Sequence, residues 1–307
     1  MTIPFIDAHF HLWDLQRLQY GWLTPPFDDQ GPNGDVSAIA MTYLPDRFRA
    51  DLVRWNLVGA VHVEAGADPG QALAETAWLQ RLGDADRLPT AIVAHADLTD
   101  PDVDDLLAAQ ARHDRVRGIR QIVNWHPDPA RTYMPVDVTL DPAWARGFAR
   151  LAAHGLGFDL QCYPAQMPHI AAILTRHPDV PVRINHMGMP VPGDPDGIGT
   201  WRTGMRALAA LPQVAVKISG PGFIRRDWTP ELVAPIIREA IALFGTDRTM
   251  FASDVPTDTL FGSVDRHMET YAAIAADFPQ HARRAMFAGN ANRLYRLGLD
   301  SLLEDAA

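Results

Sequence analysis

Eight short runs of strand-forming residues recur along the chain, around 3–9, 58–64, 90–95, 116–122, 156–161, 181–186, 214–219 and 250–254, with helix-like segments between them. Parallel strands cannot be joined by tight hairpins, so this alternation implies a parallel sheet whose crossovers are helices. Eight such units point to closure into a (β/α)8 barrel of the TIM type. The interposed stretches ALAETAWLQRLGD from Ala72, WARGFARLAAHG from Trp144 and ELVAPIIREAIALFG from Glu231 carry apolar residues at helical spacing. The last two end in glycine, as helix C-termini often do. The structural rival is an open doubly wound sheet, but no GxGxxG follows the first strand. A barrel of about 250 residues plus decoration fits 307 residues. With no linker, low-complexity tract or repeat beyond the β/α period, residues 1–307 read as one domain.

The remaining composition narrows the function classes. Every long apolar run is broken by Arg, Asp, His or Pro before it could span a bilayer, so no membrane partner is expected. The N-terminus lacks a basic region followed by a continuous apolar stretch, and the single cysteine, Cys162, cannot form an internal disulfide; both fit a cytoplasmic location. A formal net charge of −10 disfavours nucleic acid as a partner. It does not steer anions either, so a carboxylated ligand needs a local basic group, for which Arg120 is the candidate. A homodimer is the base-rate expectation for the assembly.

The loops that follow barrel strands build the catalytic face. Two long ones qualify: residues 20–49, rich in Pro and Gly with Trp22 among them, and the segment MGMPVPGDPDGIG from Met187. Asp7-Ala8-His9-Phe10-His11 sets His9 and His11 on one face of the first strand, where neutral imidazoles can share a divalent metal or polarise a substrate oxygen. Hydrogen-bonded structural histidines are the plain alternative. Three more strands end in polar groups: Glu64 after VHV, with His62 two residues earlier; His186 in VRINHMGMP; and Asp254 in MFASDVP. Such convergence at strand C-termini is where barrel enzymes keep their chemistry. Gln161 and Tyr163 near the fifth strand's end, Lys217 and Ser219 on the seventh, and Trp13 and Trp22 in the first loop are further pocket candidates; for each, packing or structural hydrogen bonding is the other reading.

The segments IDAHFHLWD, HVEAG, VRGIRQ, NHMGMP, VKISG, FASDVP and GNANRLYRLG run in barrel order over nearly the whole chain. Together they resemble the amidohydrolase-related group of metal-dependent barrel hydrolases, which includes sugar lactonases and 2-pyrone-4,6-dicarboxylate lactonase. The resemblance implies that His9 and His11 form the strand-1 pair and His186 the strand-6 histidine, with Asp254 activating water. It matches Glu64 to a strand-2 acid and Arg120 to a position that holds a substrate carboxylate or carbonyl. His9, His11, Asp254 and Glu64 would then offer ligands to one zinc or manganese ion, while some lactonases of the group work without metal. No lysine stands on strand 4 to bridge two metals, and FDLQCY on strand 5 has no third imidazole. The expected activity is therefore lactone hydrolysis, of a sugar lactone or a carboxylated lactone. The alternatives are decarboxylation of an aromatic or muconate-type acid, with an organic acid as ligand, and a non-catalytic ligand-binding barrel.

Overall fold

The computed structural model describes residues 3–304. Strands β1 (Pro4–Phe10), β2 (Asn56–Val63), β3 (Ala91–His95), β4 (Val116–Ile122), β5 (Gly157–Gln161), β6 (Val182–Ile184), β7 (Val214–Ile218) and β8 (Thr249–Phe251) pair in chain order. Every pairing is parallel. Helices including Ala72–Asp86, Pro142–Arg150, Gly197–Ala209 and Pro230–Phe244 surround them. The strands are largely buried on both faces because one packs on these helices and the other fills the barrel, and β7, VAVKI, is buried throughout. Among the described residues no helix is long and apolar enough to cross a membrane.

The inner cluster holds Ile6, Ala8, Val61, Val63, Ala215, Met250 and Ala252, with Leu294, Leu297, Leu299 and Leu303 of the C-terminal segment packed against it. Simple alternation from Ile6 and Ala8 would turn His9 outward. The register prevents this: Asp7 pairs with Ala60 but Phe10 with His62, so β1 carries one extra residue there. Such a bulge re-aims side chains. After it Phe10 stacks outward on Phe48, with ring centroids 4.2 Å apart, while His9 and His11 point into the barrel mouth against Asp254.

The seam between β8 and β1 closes just beyond β8. The Asp254 N–H donates to the His9 carbonyl at 2.8 Å, and the His11 N–H to the Val255 carbonyl at 2.9 Å. Asp7 Oδ1 accepts the Ser253 N–H at 2.9 Å. β6 and β8 are shorter than the sequence suggests because the chain turns left-handed at their ends, with φ of +51° at His186 and +55° at Asp254. Non-glycine residues enter this region only when their surroundings hold them there, at a cost on the order of 1 kcal/mol.

Gly157 and Gly118 make room inside the barrel for the buried Arg183 side chain. A Cβ at Gly157 would lie 1.9 Å from Arg183 Nη1 and 2.8 Å from the Pro181 carbonyl, and the latter is backbone that cannot move aside. Gly157→Ala is expected to lower unfolding stability by about 1–3 kcal/mol in a urea titration; an unchanged midpoint would contradict this packing.

Candidate active site

A cavity of about 230 Å³ opens at the C-terminal ends of the strands. His11, Arg120, Gln161, His186 and Asp254 form its polar wall, and Trp22, Ile122 and Phe223 much of the rest. Asp254 is the hub: its Oδ1 lies 3.3 Å from His9 Nε2 and 3.2 Å from His11 Nε2, and its Oδ2 lies 4.0 Å from His186 Nδ1. All four residues are buried.

The neighbours set the protonation of these rings. His11 Nδ1 lies 2.7 Å from the Val63 carbonyl, which can only accept, so Nδ1 carries the proton and Nε2 turns a lone pair towards Asp254. His186 Nδ1 is anchored at 3.0 Å on Ser219 Oγ. Burial, reinforced by Lys217, holds His9 neutral, and burial lowers His11 to about 3 and His186 to about 4. Burial also lifts the Asp254 carboxyl to about 6, against the pull of His186, Arg120 and Lys217.

His11 thus turns a lone pair towards a buried carboxylate, an arrangement that a cation relieves, while His9 Nδ1 lies 3.4 Å from the Lys217 ammonium. His9, His186 and Asp254 bring ligand atoms within 4.8 Å of one another. His9 Nε2 and Asp254 Oδ2 are buried without a hydrogen-bond partner. Neutral imidazoles and a carboxylate fit zinc or manganese. Glu64 stands outside this trio. Its Oε1 pairs with Arg120 Nε at 2.6 Å and its Oε2 accepts the Gly66 N–H at 2.8 Å. Although burial opposes it, Arg120 brings the Glu64 carboxyl down to about 2.

Arg120 lines the cavity with its Nε on Glu64, while its Nη1 donates to Gln161 Oε1 at 3.0 Å and its Nη2 to the Glu64 carbonyl at 2.5 Å. Lys217 lies beneath His9, ion-paired with Asp159, whose Oδ2 also accepts the Tyr295 hydroxyl at 2.8 Å. Tyr163 turns away to donate to the Arg131 carbonyl at 2.5 Å. His62 faces Phe10 outside the barrel and donates to the Leu12 carbonyl at 3.2 Å. Trp22 flanks the cavity, its indole N–H on the Ala65 carbonyl at 2.8 Å, with Trp13 packed edge-on behind it. Asn33, Tyr133, Phe223 and Thr257 also line the cavity and escaped the sequence reading, because they sit in loops without periodicity or motif.

A parallel eight-stranded barrel with a cluster of titratable groups at its strand ends is the layout of a barrel enzyme. The amidohydrolase family model matches residues 6–297, and the chain belongs to that family. It is 44% identical over 298 residues to the protein y4mH of Sinorhizobium fredii, covering 96% of this chain and 99% of that one. An L-fucono-1,5-lactonase of Burkholderia multivorans is 30% identical over 307 residues, covering 95% and 96%. The crystal structure of an amidohydrolase from Burkholderia multivorans with bound zinc superposes with a TM-score of 0.79 at 28% identity, covering 95% of this chain and 99% of that one.

The Glu64–Arg120 pair yields a prediction. A carboxyl held near 2 rather than its ordinary 4.5 contributes about 3 kcal/mol of stability. That contribution is complete above pH 4.5 and is lost as the pH falls towards 2. Glu64→Gln should therefore cost about 3 kcal/mol at pH 7, leaving Arg120 buried beside a neutral group. The gap to the parent should narrow at pH 3.5, read by urea unfolding at both values; a constant gap would refute the pairing as the cause.

Proposed function

We propose that this hydrolase opens the ring of a neutral, hydroxylated lactone. The observation that carries the reading is Asp254: a buried carboxylate among neutral imidazoles, on the wall of a cavity of about 230 Å³. Similarity to an L-fucono-1,5-lactonase supports the same reaction class. The substrate's neutrality rests on charge pairing. Arg120 is matched by Glu64 and Lys217 by Asp159, so among the described residues both side-chain charges are already compensated by carboxylates of the protein. We assign Arg120 a positioning role, in which it fixes Gln161 in the cavity wall, rather than the expected carboxylate-holding one.

In the reaction, Asp254 accepts a proton from water as its oxygen attacks the lactone carbonyl carbon. The tetrahedral adduct then collapses, the bond from that carbon to the ring oxygen breaks, and the proton held by Asp254 goes to the departing oxygen. The product is the open hydroxy acid, one water heavier than the substrate. His11 and Ser219 work by placement: His11 flanks the acceptor oxygen, and Ser219 fixes the orientation of His186. His9, His186 and Asp254 are the residues that would hold a divalent ion, which when bound would polarise the carbonyl and acidify water.

Asp254→Asn should lower kcat/KM on L-fucono-1,5-lactone about a thousandfold in an acid-release assay, with unfolding unchanged. Retained turnover would remove Asp254 from the mechanism. Elemental analysis of protein purified with added zinc should give about one ion per chain, lost in His9→Ala; equal zinc in both proteins would place any ion elsewhere.

A further inference from the structure

The wall formed by loops carries a second polar feature that the hydrolytic step does not use. The Tyr133 hydroxyl donates to Asn33 Oδ1 at 2.6 Å, and both residues line the cavity although they are far apart in sequence. Each is held rigidly. Asn33 sits in a turn closed by Gly34 N–H on the Gly31 carbonyl at 3.0 Å, with Gly34 at a φ of +68°. Arg226 clasps the Gly31 and Pro32 carbonyls, each at 3.4 Å. On the other side, the Tyr133 and Met134 N–H groups share the Asn124 carbonyl at 3.1 and 3.2 Å. Arg131, two residues before Tyr133, is ion-paired with Asp194 at 2.5 Å.

Donor and acceptor counting gives the pair its chemistry. Asn33 Oδ1 is taken by Tyr133, and among the described residues its Nδ2 has no partner. The tyrosine oxygen keeps acceptor capacity after donating its own proton. Burial keeps that hydroxyl protonated, as do neighbouring Tyr163 and Asp254. Side by side, the two residues offer one N–H donor and one oxygen acceptor to the cavity. An alcohol, which both accepts and donates, matches that pair; a carboxylate would match only half of it, and an alkyl group neither. Gln161 adds a second amide of the same kind, its Oε1 taken by Arg120.

We infer that Asn33 and Tyr133 are specificity-determining residues that read a ring or side-chain hydroxyl of the substrate, selecting polyhydroxylated over plain lactones. This rests on the lactonase reading. Pre-organisation by the two loops matters because a fixed pair loses little freedom on binding, and a substrate lacking the hydroxyl leaves the amide unpaired.

The test is the ratio of kcat/KM for L-fucono-1,5-lactone to that for unsubstituted δ-valerolactone, measured on the parent, Asn33→Ala and Tyr133→Phe. The ratio should fall about tenfold in each variant, mainly through KM for the sugar lactone. A merely structural latch would depress turnover of both lactones together and leave the ratio unchanged, which would overturn the assignment. Tyr133→Phe keeps the ring and its packing, so it decides the matter if Asn33→Ala fails to fold. A parent enzyme that hydrolyses neither lactone would refute the lactonase reading itself, and this assignment with it.

Discussion

Two backbone hydrogen bonds, from the Asp254 N–H to the His9 carbonyl and from the His11 N–H to the Val255 carbonyl, join the barrel seam and bring Asp254 beside both imidazoles. β8 ends at Phe251, so the seam with β1 is completed by the segment that carries Asp254. The bulge in β1 then turns His9 and His11 to the same place. Stability and function are tied together here, since whatever holds the seam also fixes the distances between Asp254 and its imidazoles. Asp7 reinforces the seam from below, accepting from both the backbone and the hydroxyl of Ser253. The left-handed backbone at Asp254 and His186 is tolerated because this framework over-determines both positions.

Around the seam, charge is neutralised pair by pair. Lys217 and Asp159 compensate each other under His9, with Tyr295 of the C-terminal segment completing the carboxylate's shell. Arg120 and Glu64, both buried, do the same at the cavity. Among the described residues Asp254 has no such ion-pair partner and lies within 4.0 Å of His9, His11 and His186. Burial raises its affinity for a proton, against the pull of His186, Arg120 and Lys217.

Much of this was legible in the sequence, for identifiable reasons. The eight strands were visible because parallel strands buried on both faces are compact apolar runs, and His9, His11, His186 and Asp254 stood out because they end such runs. What each polar group pairs with was not legible. Glu64 and Arg120 are 56 positions apart and read separately as a ligand and a carboxylate anchor; folded, each satisfies the other. Lys217 and Tyr163 occupy strand-end positions, yet partners in Asp159 and Arg131 draw them from the cavity. Asn33 and Tyr133 were invisible because they meet only through loops, where no periodicity governs which residue faces inward.

The central claim is that the site serves a neutral lactone through Asp254, with Arg120 already satisfied by Glu64. It is tested most directly by initial acid-release rates of the unaltered enzyme on L-fucono-1,5-lactone and on 2-pyrone-4,6-dicarboxylate at equal concentrations below KM. Turnover of the sugar lactone at least about a hundredfold faster is the predicted result, the scale set by an unpaired buried charge. Faster hydrolysis of the dicarboxylate would contradict it and would mean that Arg120 releases Glu64 to bind an anion.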